Sequence, residues 1–192
     1  MLEAELSLGA MPRSNTHLIV AVPRPQSVKK LIQVGCAMGL SSLTFIRAAN
    51  IVKSYLQSKS LTPANIQGEV IKGLEQANDS VPPEIRLLDR SPRSIGEAFP
   101  AEFANATLIL ADTHEPAACD VSGVCLVHPA NAVYLAIGPE TGWTPAEVGD
   151  FKRLGFQVVT LGLRMLRVEV AATVLISQVT LLRQLPATCQ PV

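Results

Sequence analysis

The sequence predicts an α/β fold: a mainly parallel sheet with helices on both faces. Three observations carry that expectation. Short apolar runs alternate with helix patterns along most of the chain. The run Ala132 to Ile137 is apolar throughout and bounded by Gly138, as in a central strand buried on both faces. Aromatics make up only 4% of the 192 residues while 48% are hydrophobic, so the core must be aliphatic. The length suits one domain of ordinary size. Residues 1–16 have weak pattern and are expected as a lead-in, with the domain over 17–192.

The elements follow in order. His17 to Val22 is a short apolar strand, ended by Pro23 and Pro25. Ser27 is positioned to cap a helix from Val28 to about Met38, closed by Gly39. Leu43 to Arg47 reads as a strand. Thr62-Pro63 places a cap before a proline at the first helical position. Ile66, Val70 and Leu74 then recur every four residues, giving a helix to about Asn78. Ile85 to Leu88 is a strand, and Ile95 to Phe99 a short helix or turn. Thr107 to Leu110 is a strand running into the polar loop Ala111 to Pro116. After the Ala132–Ile137 strand, Thr144-Pro145-Ala146-Glu147 is a capping box with proline at its first helical position. That helix runs to Leu154, with Lys152 and Arg153 at the negative end of its dipole and Gly155 suited to a left-handed cap. Gln157 to Leu161 is the next strand, and Glu169 to Gln184 the last helix.

This last helix carries one thin polar stripe of Thr173, Ser177, Thr180 and Gln184. Nearly every other position is Ala, Val, Leu or Ile. Such a helix needs cover on most sides. One sheet supplies only part of it, so a partner subunit is expected, most simply in a homodimer.

Composition limits the function. The net charge is +0. A dedicated nucleic-acid binder usually has a basic surplus, so any RNA binding must rest on a local patch or come with help. The cysteines Cys36, Cys119, Cys125 and Cys189 form no C-x-x-C pair, so no metal site is expected and they read as scattered buried thiols. The N-terminus has no apolar signal core, and Glu3 and Glu5 sit where a signal peptide would be basic. The longest apolar stretch, Val170 to Leu182, is broken by Ser177 and Gln178 and is too short for a bilayer. A soluble, cytoplasmic protein is the expectation.

Two loops hold the candidate chemistry. Gly138-Pro139-Glu140-Thr141-Gly142 follows the central strand and feeds a helix N-terminus. Its glycines let backbone approach a ligand, and ligands of open α/β sheets lie beyond the carboxyl ends of strands. It matches neither G-x-x-x-x-G-K-[ST] nor G-x-G-x-x-G, so ATP hydrolysis and dinucleotide binding find no support. The second loop, Leu161-Gly162-Leu163-Arg164-Met165-Leu166-Arg167, places two guanidiniums beside a glycine turn, with Glu169 just after. Burying these arginines calls for anionic or carbonyl partners.

Together the segments Ile137–Gly142 and Leu161–Ala171 resemble the RsmE-type small-subunit rRNA uridine-N3 methyltransferases of the SPOUT superfamily. The family pattern is G-P-E-G-G followed by L-G-x-R-I-L-R-T-E-T-A. The likeness spans roughly residues 18–185 and is dense after residue 133. Fainter traces lie at Lys30–Gln33, Met38–Leu40 and Glu75-Gln76. The resemblance implies a C-terminal trefoil knot, S-adenosylmethionine bent within the knot loops, and an active site at a homodimer interface acting on RNA. It implies cofactor contacts from Ile137, Gly138, Pro139, Glu140, Gly142, Leu161, Gly162, Met165 and Leu166. Arg164 is expected to hold substrate phosphate or the cofactor carboxylate.

Methyl transfer to a uracil nitrogen needs alignment, together with removal of the imide proton or stabilisation of the resulting negative oxygens. Arg167 and Glu169 are the expected catalytic pair, with helix capping the competing role for Glu169. Thr141 stands for a family glycine, and Val168 and Val170 for two threonines. Asp79 stands for an arginine of the E-Q-x-x-R trace. The family's N-terminal RNA-binding barrel has no counterpart in the short stretch before the first strand. These departures cluster on the substrate side. They leave open a cofactor-binding dimeric homologue with little catalysis, or a methyltransferase for a smaller substrate.

Overall fold

Seven parallel strands form one sheet in the order β3-β2-β1-β6-β4-β7-β5. The computed structural model describes residues 12–115, 118–124, 126, 128 and 130–185. The strands are β1 (Thr16–Ala21), β2 (Ser42–Ile46), β3 (Glu84–Leu87), β4 (Thr107–Ala111), β5 (Cys119–Asp120), β6 (Val133–Ile137) and β7 (Gln157–Thr160). The helices are α1 (Pro25–Ala37), α2 (Lys53–Leu56), α3 (Pro63–Ala77), α4 (Pro92–Ile95), α5 (Pro100–Phe103), α6 (Pro145–Arg153) and α7 (Val168–Gln184).

Side-chain alternation along the strands divides the core in two. Leu18, Val20, Leu43, Phe45, Leu135 and Val159 face α1 and α7 in one cluster. Ile19, Ala21, Leu108, Leu110, Tyr134 and Val158 join Phe99, Phe151 and Phe156 on the other face, towards α4 and α6. The fully buried β6, flanked by β1 and β4, occupies the centre of the sheet, as its unbroken apolar run predicts.

The capping box of α6 forms as expected: Thr144 Oγ1 accepts from the Glu147 amide while Glu147 returns to the Thr144 amide. Glu147 also accepts the Ala49 amide at 2.7 Å, tying α6 to the segment after β2. The first helix differs from expectation. It begins at Pro25, not Val28, because proline is pre-organised for the first helical turn and has no N–H to satisfy. Ser27 therefore lies inside the helix, and its hydroxyl serves another partner. Of the segment 95–99, Ile95 ends the one-turn α4 and residues 96–99 form the turn that leads into α5. The single-turn α2 and the two-residue β5 are too short to show a period in sequence.

Helices α1 and α3 pack too closely at Gly73 for a side chain: a Cβ there would lie 2.7 Å from that of Cys36. Beside that crossing, Gln33 Nε2 donates to the buried Glu69.

Two further expectations change. Cys119 is exposed, because β5 is an edge strand; Cys36 is buried, and Cys125 and Cys189 lie outside the described residues. Of the expected lead-in, residues 1–11 lie outside them too, but Arg13 packs inward and pairs with Asp79 at 3.1 Å. The side chain of Asp79, which stands where the family pattern has an arginine, is almost fully covered. Its other oxygen accepts the Val81 amide. That amide and the Arg13 guanidinium overcome burial and hold its carboxyl below the usual range.

Candidate functional site

Three loops meet at the carboxyl ends of the neighbouring strands β6, β4 and β7. The cleft between them is lined by Ile137, Gly138, Pro139, Glu140 and Gly142 from the first loop and by Leu161, Arg164, Met165 and Leu166 from the loop after β7. Val168 and Ala171 of α7 close it on one side. The third wall, Ala111, Asp112 and Thr113, comes from the end of β4. Sequence reasoning noted that polar stretch but gave it no role; its position after a strand was the available signal. The cleft encloses about 80 Å³, and about 580 Å³ counting the part open to solvent.

Backbone conformation explains the glycines. Gly142 has φ +75° and Gly162 φ +106°, values that strain other residues. Thr141 has no positive φ, so threonine is accommodated there without strain. Gly162 shapes its turn without lining the cleft. At Gly138 the need is space: a Cβ would meet the Trp143 indole at 3.2 Å.

Polar contacts fix the loops. Glu140 Oε1 accepts the Arg24 backbone N–H at 2.9 Å, joining the first loop to the start of α1. Asp112 Oδ1 accepts the amides of His114 and Glu115 at 2.7 and 2.9 Å, folding the β4 loop into an Asx turn. Thr113 Oγ1 lies 3.3 Å from the Met165 sulfur, linking the β4 loop to the β7 loop. Trp143 is buried against Phe151, ring centroids 5.0 Å apart. Its Nε1 has no hydrogen-bond partner among the described residues. A buried donor without an acceptor is costly, and here it belongs to a wall of the cleft.

The two expected catalytic residues lie elsewhere. Arg167 is exposed at the N-cap of α7, with no ion pair among the described residues. Glu169 does not line the cleft. Its Oε2 accepts from Ser27 Oγ at 2.9 Å and its Oε1 from Lys30 Nζ at 3.0 Å. Burial raises its pKa, but its own backbone amide, Lys30 and Ser27 outweigh that, and the net direction is down. The anion is thus held on α1.

Among the described residues, no group of three or more His, Cys, Asp or Glu could hold a metal ion. No helix among them is long and apolar enough to cross a membrane.

This fold and cleft define a class. The model of the RNA methyltransferase domain family matches residues 11–180, and the chain belongs to that family. A ribosomal RNA small subunit methyltransferase E from Treponema pallidum (strain Nichols) is 29% identical over 162 residues, 81% of this chain and 58% of that protein. This chain therefore spans less than two thirds of that relative's length. The crystal structure of a ribosomal RNA small subunit methyltransferase E from Neisseria gonorrhoeae, bound to S-adenosyl methionine, matches with TM-score 0.72 and 27% identity. The match covers 91% of this chain and 68% of that one. The SpoU methyltransferase AviRb from Streptomyces viridochromogenes shares the fold at TM-score 0.59 and 18% identity, over 89% of this chain and 61% of that one. The SPOUT-type, RsmE-like resemblance of the two loops is thereby borne out.

Proposed function

We propose that this chain is an S-adenosylmethionine-dependent methyltransferase acting on a base nitrogen of ribosomal RNA, of the uridine-N3 type. The observation that carries the reading is the three-loop cleft at the carboxyl ends of β6, β4 and β7, with its glycine-built turns and the unpaired Trp143 N–H. Support comes from the Neisseria relative, which has the same fold and was crystallised with that cofactor. The residues present fit it. Ile137, Leu161, Met165 and Leu166 offer apolar walls, while Gly138, Pro139, Glu140 and Gly142 bring backbone close and Gly162 shapes the second turn.

When bound, the cofactor supplies an electrophilic methyl group on a sulfonium. The chain's own work is alignment and charge stabilisation. Arg167, exposed and without an ion pair among the described residues, holds the negative oxygen that develops on the base. Arg164, at the cleft wall, holds substrate phosphate. Glu169 is a positioning residue that seats the first turn of α7 on α1.

The outward face of α7 supports a homodimer. Val170, Thr173, Ser177 and Leu181 are exposed along it. The Thr173 and Thr180 hydroxyls donate back to the carbonyls of Glu169 and Ile176, so two of the four stripe residues are satisfied within the helix. The trefoil knot is part of the same reading: α7 packs against α1, β6 and the 121–123 turn. Work on ribosomal RNA would place the protein in the cytoplasm.

The commitment of Glu169 to Ser27 and Lys30 favours a second reading, a dimeric cofactor-binding homologue with little catalysis. Calorimetric titration with S-adenosylmethionine, followed by transfer of labelled methyl to small-subunit rRNA, separates the two. Binding with transfer is expected. Binding without transfer leaves the second reading, and no binding at millimolar cofactor sinks both.

A further inference from the structure

The chain is neutral overall, but its charge is unevenly placed. Between Glu5 and Glu69 there is no acidic residue. Arg13 and Lys30 in that stretch are spent on Asp79 and Glu169. Of the other five, Lys29, Lys53 and Lys59 make no ion pair among the described residues, while Arg24 is paired with Glu140 at 3.8 Å and Arg47 with Asp89. Four of these five lie in the segments that leave the carboxyl ends of β1 and β2.

Those segments also build two concavities, one of which shares lining residues with the cofactor cleft. The first, of about 80 Å³, is lined by Arg24, Asn50, Tyr55 and Thr141, and it shares Pro139 and Glu140 with the cleft. It shares Val22 with the second, of about 600 Å³, at the ends of β1, β2 and β3. There Leu56, Leu61 and Leu87 give an apolar lining, and Arg47, Gln57 and Asp89 a polar one. At roughly 4.8 Å per strand, β2 lies about 10 Å from β6. A polymer whose reacting base reaches the cleft crosses this edge next.

We propose that the acid-free stretch forms a platform for single-stranded RNA beside the cleft, and that the larger concavity takes a base flanking the target nucleotide. The proposal rests on the methyltransferase reading and adds the path of its substrate. Phosphates fall to Arg24, Arg47, Lys53 and Lys59. Lys53 and Lys59 are exposed and make no ion pair among the described residues. Arg47 is paired with Asp89 at 2.9 Å, but both side chains are at least half exposed, so a phosphate competes for it at little cost. The volume exceeds what one nucleobase needs, and an apolar lining with a few polar groups suits a base that has left its stack.

The test uses the full chain and a labelled single-stranded oligoribonucleotide from small-subunit rRNA, read by fluorescence anisotropy over a salt series. Lys53→Glu and Lys59→Glu should each weaken RNA binding by roughly tenfold and flatten the salt slope, each lost contact being worth about 0.7 in that slope. Leu61→Trp, which fills the concavity, should weaken binding without changing the slope. Calorimetric cofactor affinity should stay within twofold in all three. If Leu61→Trp does not fold, the two exposed lysine variants decide the matter. RNA affinity and salt slope unchanged in both lysine variants, while the parent chain binds RNA and transfers methyl, would overturn the platform and leave the methyltransferase reading standing. A parent chain that binds no RNA and transfers no methyl removes both.

Discussion

Ser27 Oγ donates to Glu169 Oε2 at 2.9 Å across the α1–α7 contact, 142 residues apart in sequence. With Lys30 on the other oxygen, this pins the first turn of the helix that closes the three-loop cleft. A carboxylate held this way, with its pKa lowered, is a weak proton acceptor. Glu169→Gln should therefore lower kcat by less than tenfold and leave the pH–rate profile unchanged. Loss of a general base would cost roughly 10²- to 10⁴-fold. Ser27→Ala should reproduce the Glu169→Gln effect on melting, a destabilisation of about 1–2 kcal/mol. A hundredfold loss in Glu169→Gln at unchanged melting temperature would restore it as the base.

Arg167 behaves differently, because its guanidinium has no ion-pair partner among the described residues. Arg167→Ala should keep the parent melting temperature and cofactor affinity, and lose transfer by roughly 10²-fold or more, as expected for removal of an oxyanion donor. Circular dichroism melts, calorimetry and single-turnover transfer check the three parts separately. Unchanged transfer removes Arg167 from the mechanism.

Trp143 is the chain's one tryptophan, so its emission reports on the cleft wall directly. Ligand entering beside Gly138 should change that emission along a saturating titration with S-adenosylmethionine. Gly138→Ala drives a Cβ towards the indole at 3.2 Å, and should cost about 1–3 kcal/mol of stability and weaken binding at least tenfold. Trp143→Phe relieves that crowding, so the double variant should recover part of the lost stability. No recovery in the double variant would show that the indole is not what Gly138 accommodates.

Sequence reached furthest where a local rule and a tertiary need coincide. The β6 run, the Thr144–Glu147 capping box and the left-handed Gly155 satisfy both, and all three form. The two loops of the cleft were legible because turn chemistry demands glycine at 142 and 162. The third wall, Ala111 to Thr113, carries no such marker, since its role comes from β4 lying between β6 and β7. Ser27 misled for a related reason. Its type suits an N-cap, but Pro25 starts the helix earlier, and the hydroxyl meets a carboxylate distant in sequence. Arg13 and Asp79 were hidden likewise: neither shows its partner until α3 and the N-terminal segment are packed.

The outward face of α7 gives a prediction about assembly. Leu181 is 57% exposed and Val170 42%. A single Leu181→Asp change places charge on that face without touching the cleft or the core beneath it. Sedimentation should move from dimer to monomer, and transfer should fall with it, while cofactor titration in the isolated subunit reports whether the cleft survives alone. A parent chain that sediments as a monomer at tens of micromolar would dispose of the dimer.

His17 supplies the pH prediction. Its ring stacks on Tyr134 at 4.4 Å and its Nδ1 lies 2.8 Å from Ser42 Oγ. Burial first, and then the nearby Arg86 charge, push its pKa down from 6.5 to about 4. The unfolded chain therefore takes up a proton in the window where the folded chain does not. Stability from this group is complete above pH 6.5 and is lost progressively as pH falls towards about 4. The carboxylates with lowered pKa, Glu69, Asp79, Glu84 and Glu169, have ordinary values of 4.5 or below, so the upper part of that window belongs to His17 rather than to them. The ring is partly exposed, and solvent screening limits the effect to the order of 1–2 kcal/mol. Urea midpoints at about pH 7.5 and about pH 5.5 should differ in the parent chain and converge in His17→Gln, which keeps a hydrogen-bonding side chain but does not titrate. An equal pH dependence in both chains would locate the titrating group elsewhere.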